Sequence, residues 1–212
     1  REYGGTVFYD RYILGQWALA EGLIYPMFGE SNIVDEVPES GEYYISCDYG
    51  TLNPFSAGLW CWDGKKAVRI REYYYSGRKE QASKTDEEYY TELEKLAGDF
   101  PVRSVVVDPS AASFIEVIRR HRRFRVHKAV NDVVPGIVTS RYIENGTIKV
   151  HRSCKDSIRE FGLYRWDEKS PEDRPIKEND HAMDDIRYFV MTILRGKARR
   201  AGQERYIPMW GE

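Results

Sequence analysis

The sequence of 212 residues has few cysteines, no long apolar run and no excess of charge of one sign. No apolar stretch approaches the roughly 18 residues that a membrane span needs, so we expect no membrane partner. Cys47, Cys61 and Cys154 form no CxxC pair, which fits a reducing cytosol and gives no zinc site. Cys47 and Cys61 fall in apolar stretches and are expected to be small buried hydrophobic residues. The net charge of −2 is unusual for a protein that only coats DNA.

The sequence also lacks a GxxxxGK[ST] motif, so this chain has no nucleotide-binding loop of that type. It contains no internal repeat and no low-complexity tract. Its length allows one sizeable hydrophobic core. The chain begins without methionine, and we expect it to be a piece of a larger protein.

The pattern of apolar residues and turns predicts a mixed α/β domain. Three antiparallel strands are expected first, with Asp63-Gly64 as a hairpin turn between the second and third. In the third strand, Val68 and Ile70 alternate with Arg69 and Arg71. Strand–helix alternation follows, which implies a mixed five-stranded central sheet flanked by helices. Strands are predicted at 43–48, 55–62, 66–75, 102–108 and 124–130, with a short strand at 147–150, and helices at 7–21, 85–98, 112–121, 133–143, 153–164 and 180–195.

Two aspartates end buried strands in this prediction, Asp48 after YYISC and Asp108 after SVVV. Each alone is equally well explained as a turn or a helix cap. If the two strands are parallel neighbours, both carboxylates emerge at the same edge of the sheet, where they would repel each other. A divalent cation removes that repulsion, and oxygen ligands suit Mg²⁺ or Mn²⁺ better than zinc.

A third acidic element begins the last helix, in the segment Asp180-His181-Ala182-Met183-Asp184-Asp185. Asp180 is expected to be the N-cap. His181 and Asp184 are three residues apart and share a helix face. The apolar stripe through Met183, Ile186 and Val190 is expected to face the sheet, which places Asp185 nearer the solvent than Asp184. Asp48, Asp108 and Asp184 are therefore the predicted metal ligands, with His181 as a catalytic residue beside them.

Three carboxylates at such positions are what phosphodiester cleavage by two metal ions requires, with the ions roughly 4 Å apart. Basic residues then become candidates for phosphate contacts, although a solvated surface explains them equally well. One group lies in the run RRHRRFRVHK, and a second lies in the charged loop 165–179. The candidate DNA-binding residues are Arg119, Arg120, Arg122, Arg123, Lys128, Arg165, Lys169 and Lys177.

The sequence resembles the C-terminal nuclease domain of the large terminase subunit of tailed bacteriophages. The resemblance is carried by RYILGQWALAEGLIYPMF, ISCDYGTLNPFSAGLW, VVVDPSAASFIEVIRR, KAVNDVVPGI, YRWDEK and NDHAMDDIRYFV, in this order over nearly the whole chain. The D-H-x-x-D followed by R-Y is the most specific of these.

The resemblance implies a ribonuclease H-like, integrase-like fold and cleavage of double-stranded viral DNA concatemers with two Mg²⁺ or Mn²⁺ ions. It assigns metal-ligand roles to Asp48, Asp108 and Asp184, with His181 close by. Most relatives have a small apolar residue in place of Asp185, so its role is open. Residues 1–40 are then expected to be the tail of an ATPase domain, 41–200 the nuclease domain and 201–212 a C-terminal tail.

The implied partners are double-stranded DNA, the ATPase domain of the same protein, the small terminase subunit and the portal. The implied location is the cytoplasm of the infected bacterial host, at the procapsid.

Three other functions compete with this prediction. The segment Asp48-Tyr49-Gly50-Thr51 is similar to the phosphate-binding D-x-G-T of actin-like ATPases, but the chain has no second, duplicated domain of the kind that those proteins need. A resolvase or transposase of the same fold is a closer alternative. A DNA-docking module without catalysis is the third, and it predicts the loss of at least one carboxylate, whereas all three are present.

Overall fold

A mixed seven-stranded sheet forms the centre of the molecule. The computed structural model describes residues 22–130, 137–167, 169–170 and 174–200. The strands are β1 (Ile33–Val34), β2 (Glu42–Asp48), β3 (Phe55–Trp62), β4 (Ala67–Tyr75), β5 (Val102–Val107), β6 (Val126–Lys128) and β7 (Ile148–His151). Their spatial order is β1-β7-β4-β3-β2-β5-β6.

The mixed α/β class predicted from the sequence is confirmed, but the sheet has seven strands instead of five. The five strands predicted for the central sheet lie side by side as β4-β3-β2-β5-β6, with β2, β3 and β4 antiparallel and β5 and β6 parallel to β2. The short strand predicted at 147–150 is β7. The sheet continues beyond β4 because Ala67 pairs in parallel with Ile148 of β7. The two-residue strand β1 then pairs with β7.

Helices cover both faces of this sheet. They are α1 (Gly77–Glu80), α2 (Asp86–Ala97), α3 (Ala112–His121), α4 (Ile137–Glu144), α5 (Lys155–Phe161), α6 (His181–Phe189) and α7 (Arg195–Arg200). A π-helical turn, Val190–Leu194, joins α6 to α7, so the last predicted helix extends further than expected. The predicted helix at 153–164 is shorter, because it begins at Lys155 and ends at Phe161. The predicted helix at 7–21 lies outside the described residues.

Side chains of each strand alternate between two hydrophobic cores. Along β2, Ile45 and Cys47 point to the core that α2 and α3 cover. Tyr44 points to the other core, which α5 and α6 cover. Because both faces are covered, polar residues that alternate with apolar ones in these strands can also be buried. All three cysteines are buried free thiols, as expected for Cys47 and Cys61. No helix in the described ranges is long and apolar enough to span a membrane.

The segment before β2 packs on the second core. Ile24 and Tyr25 are buried, and Phe28 stacks on Phe161 with ring centroids 3.7 Å apart. The buried amide of Asn32 donates hydrogen bonds to two backbone carbonyls, of Ile143 and Ile148. Part of the stretch predicted as a tail is therefore packed on the domain. The proposed boundaries at residues 40 and 200 stay predictions.

Candidate metal centre

Asp48 and Asp108 lie side by side at one edge of the sheet. Asp48 is the last residue of β2, and Asp108 directly follows β5. The two strands are parallel neighbours, and Cys47 pairs with Val107, so the next residue of each strand emerges at the same edge. The strand arrangement on which the metal-site prediction depends is present, and the role of these carboxylates as metal ligands stays a prediction.

The carboxylate of Asp48 is buried and contacts His181. Nδ1 of His181 lies 2.8 Å from Oδ2 of Asp48. Burial, together with the nearby charges of Asp184 and Asp108, raises the pKa of Asp48 from 3.8 to about 7, although His181 opposes this change. Burial alone would lower the pKa of His181, but the hydrogen bond and charge of Asp48 outweigh it and raise that pKa. The pair therefore keeps a proton up to near-neutral pH.

Asp108 is held by two donors. The hydroxyl of Tyr188 donates to Oδ2 at 2.8 Å, and the backbone N–H of Ser110 donates to Oδ1 at 2.7 Å. Burial and the charges of Asp48, Asp184 and Asp108 raise the pKa of Tyr188, so its hydroxyl keeps its proton. Tyr188 on α6 thus links the helix to the end of β5. The sequence analysis did not single out Tyr188, although the R-Y of the terminal motif contains it.

Asp184 is partly exposed, on the same side of α6 as His181. Its Oδ1 accepts a hydrogen bond of 3.0 Å from Nη2 of Arg187, one helical turn further along. A cleft opens beside it, lined by Tyr164, Asp167, Arg174, Pro175, Ile176, Lys177 and Arg187. Asp184 therefore lies at an open surface with several cationic groups.

The position predicted for Asp185 is wrong. This residue is fully buried and faces the sheet, where it forms an ion pair with Arg69, which is also fully buried. Met183, Ile186 and Val190 are buried as well, so α6 is enclosed on more than one side. The prediction assumed a single buried stripe, and the pairing of charge with Arg69 is what allows a carboxylate on the sheet side.

Glu160 supplies the cap that was predicted for Asp180. Asp180 is the residue before α6, but its side chain forms no capping hydrogen bond within the described helix start. The buried carboxylate of Glu160 instead accepts a hydrogen bond of 2.7 Å from the backbone N–H of Ala182. It also accepts one of 2.6 Å from the hydroxyl of Tyr74 on β4. Glu160 therefore ties the start of α6 to the sheet, which no local sequence signal indicates.

The donor set fits a hard divalent cation. Asp48, Asp108 and Asp184 offer only oxygen atoms, and the charges of Asp184 and Asp108 add to the effect of burial in raising the pKa of Asp48. Within the described ranges, no group of three or more His, Cys, Asp or Glu side chains is already arranged as a metal cage. The carboxylates are held instead by His181, Tyr188 and Arg187, so binding of an ion would exchange some of these contacts for metal–oxygen bonds.

Most of the basic run 119–128 lies at the opposite end of the sheet. Since β6 runs parallel to β5, α3 must run back from Asp108, and its basic C-terminal end lies near the start of β5. Arg123 there donates to Glu94 at 3.0 Å and to the backbone oxygen of Gly98 at 2.8 Å. Lys128 is different, because it pairs with Val107 and lies at the edge that carries Asp108. The structure thus brings Lys128 to the carboxylate edge and leaves Arg119, Arg120, Arg122 and Arg123 away from it.

The second basic group lies nearer to the carboxylates. Lys177 is exposed and lines the cleft beside Asp184. Arg165 and Lys169 are exposed on the same loop, whose ends are joined by a bridge between Trp166 and Pro175. Of the three, Lys177 is the one that lines the cleft beside Asp184.

The order β4-β3-β2-β5-β6, with carboxylates at the ends of β2 and β5, defines a ribonuclease H-like domain. No protein-family model matches the chain. The large terminase of a thermophilic bacteriophage has a similar structure, with 47% identity and a TM-score of 0.79 over 89% of this chain. The large terminase subunit of Escherichia phage T5 is 26% identical over 132 residues, 59% of this chain.

The similarity is concentrated in one part of these proteins. The chain spans 49% of the thermophilic phage terminase and 30% of the T5 subunit. By contrast, it covers 94% of the nuclease domain of the P22 large terminase, with 18% identity and a TM-score of 0.63. A further large terminase nuclease domain, from bacteriophage SPP1, was solved with bound Mn and has a TM-score of 0.53. The chain is therefore similar to phage large terminases and has the fold of their nuclease domains.

Proposed function

We propose that this domain is a metal-dependent endonuclease that cuts double-stranded viral DNA during genome packaging. The observation that carries the proposal is the placement of Asp48 and Asp108 at the ends of adjacent parallel strands, with Asp184 on the helix above them. Support also comes from the solved terminase nuclease domains, one of which holds Mn.

Asp48, Asp108 and Asp184 would hold two Mg²⁺ or Mn²⁺ ions. When bound, such ions lower the pKa of an attacking water and offset the charge that develops on the leaving oxygen. The chain itself supplies carboxylates on a rigid sheet edge, which fixes their spacing. Tyr188 holds Asp108 through its hydroxyl, and Arg187 holds Asp184.

His181 is the group best placed to handle a proton. Its Nδ1 contacts Asp48, and the pair keeps a proton up to near-neutral pH. A histidine side chain can accept a proton from water or return one to a leaving oxygen. Lys177, Arg165 and Lys169 would contact phosphates on the approaching strand, which positions DNA without reading its sequence.

The wider assembly is part of the proposal, since the chain spans about half of the thermophilic phage terminase. In the whole protein, an ATPase domain would precede this domain, and the small subunit and portal would be its partners. This assembly would act at the procapsid in the cytoplasm of the infected bacterium. The isolated domain would cleave without ATP, because it contains no GxxxxGK[ST] loop.

The test is cleavage of supercoiled plasmid by the purified chain. We expect nicking and degradation with Mn²⁺ or Mg²⁺ and none with EDTA or Ca²⁺. The substitutions Asp48→Asn, Asp108→Asn and Asp184→Asn should each abolish it. Asp99→Asn is the matched control, because Asp99 is exposed and precedes β5 at the opposite end of the sheet. Cleavage in EDTA, or wild-type rates in the three variants, would refute the proposal. DNA binding by an inactive wild-type chain would favour the docking-module alternative.

A further inference from the structure

Four donors surround the buried carboxylate of Asp185. Nη1 of Arg69 donates a hydrogen bond to Oδ1, and Nη2 donates one of 2.8 Å to Oδ2. Both residues are fully buried. The hydroxyl of Ser46 on β2 donates at 2.9 Å, and the hydroxyl of Ser56 on β3 donates to the other oxygen. One helical side chain is thereby fastened to three strands, β2, β3 and β4.

The sheet is shaped to admit this pair. A Cβ atom on Gly58 of β3 would lie 1.9 Å from Nη1 of Arg69, so only glycine leaves room for the guanidinium. Trp60 flanks the same guanidinium and donates from Nε1 to Ser46 at 2.8 Å. The pair thus occupies a site in which its neighbours are also fixed.

The register between α6 and β2 links the pair to the metal centre. Asp185 of α6 contacts Ser46 of β2. His181, four residues before Asp185 in the helix, contacts Asp48, two residues after Ser46 in the strand. Four helical residues advance about 6 Å and two strand residues about 6.6 Å, so the two spacings match. Phe189 continues the series, with its ring 6.1 Å from that of Tyr44. Fixing Asp185 over Ser46 therefore sets His181 over Asp48.

Stability alone does not account for a buried ion pair. Such pairs can often be replaced by apolar residues of similar volume without loss of stability, whereas they do restrict how elements pack. An apolar contact here would allow α6 to rotate or slide on the sheet. A charged pair held by two serines does not allow this, because any displacement leaves a buried charge without its partners.

We infer that Arg69 and Asp185 are positioning residues for the nuclease reaction, which hold α6 at the rotation that presents His181 and Asp184 to Asp48 and Asp108. They act through the helix and do not touch DNA or metal. This inference rests on the proposed function and extends it to two residues outside the carboxylate edge.

The test replaces both charges at once, with Arg69→Met and Asp185→Leu in the same chain. We expect a midpoint of thermal unfolding close to that of the wild type. The kcat for plasmid cleavage and the affinity for Mn²⁺ should each fall about tenfold or more, with an unchanged KM for DNA. A crystal structure of the variant should show His181 Nδ1 beyond hydrogen-bond distance of Asp48. Leu93→Ala, in the opposite core, is the control that lowers the unfolding midpoint and keeps kcat.

Two results would overturn the inference, namely a wild-type kcat in the double variant, or a lowered kcat with His181 still on Asp48. If the double variant does not fold, kcat and the distance from His181 Nδ1 to Asp48 are measured in Asp185→Glu instead. This variant keeps the charge but adds a methylene between helix and sheet. The distance from His181 Nδ1 to Asp48 in the crystal structure can be measured whether or not the chain is active. A wild-type chain that cleaves nothing would therefore defeat the proposed function, while the displacement of α6 would still decide the positioning role.

Discussion

His181 and Asp48, 133 residues apart in sequence, meet with Nδ1 2.8 Å from Oδ2. The contact joins the start of α6 to the end of β2 at the edge where Asp108 also emerges. Burial and neighbouring carboxylates favour the protonated form of Asp48, and Asp48 favours the protonated form of His181. The pKa values of both members of this pair in the candidate metal centre are therefore raised.

The metal-free protein should lose stability at this site as pH rises. The pKa of Asp48 rises from 3.8 to about 7 on folding, so between these values the folded chain binds a proton that the unfolded chain has released. Its favourable contribution is complete below pH 3.8 and is lost as pH rises towards 7. The contribution of His181 to the free energy of unfolding changes with pH in the same direction. It stabilises the folded state at low pH and is lost as pH rises through the raised pKa of the folded state.

The measurement is urea unfolding of the wild type and Asp48→Asn between pH 4 and 8 in EDTA. The free energy of unfolding of the wild type, relative to the variant, should decrease across this range by about 4 kcal/mol at most. Taking the difference removes the contributions of titrating groups that do not interact with Asp48, whereas the part of the His181 contribution that depends on Asp48 stays in it. A difference that is constant or increases with pH would contradict the assigned environment of Asp48.

Tyr188→Phe should weaken catalysis with little effect on the fold. The change removes only the hydroxyl that donates to Asp108 and leaves the ring in the core. Loss of a group that orients a metal ligand typically costs about 10- to 100-fold in activity or metal affinity. The check is the Mn²⁺ dependence of cleavage, which should shift to higher concentration. An unchanged dependence of cleavage on Mn²⁺ concentration would show that the Tyr188 hydroxyl does not orient a metal ligand.

The two basic groups should differ in their effect on DNA binding. Lys177→Ala should weaken binding and reduce the slope of log K against log salt by about 1, because one phosphate contact is lost. Arg123→Ala should leave that slope unchanged, since Arg123 is paired with Glu94 and lies at the far end of the sheet. The slopes can be measured by fluorescence anisotropy with a labelled duplex. Equal slopes for wild type and Lys177→Ala would exclude the cleft as the path of the DNA.

Sequence analysis found the carboxylate edge because its signal is local. Asp48 and Asp108 each end an apolar run, and such runs form the central parallel strands of a covered sheet. The Arg69–Asp185 pair has no local signal, since Arg69 alternates with Val68 and Ile70 as a surface residue would. Only the second helical layer buries it, and that layer is set by contacts distant in sequence. The extra strand β1, with two residues, is likewise too short to leave a pattern.

The most direct test of the metal centre is anomalous diffraction from crystals of this chain soaked in Mn²⁺. The proposal predicts two Mn²⁺ peaks roughly 4 Å apart, bounded by carboxylate oxygens of Asp48, Asp108 and Asp184, and their loss in Asp48→Asn crystals. Mn²⁺ peaks that lie elsewhere, or that persist unchanged in Asp48→Asn, would contradict it.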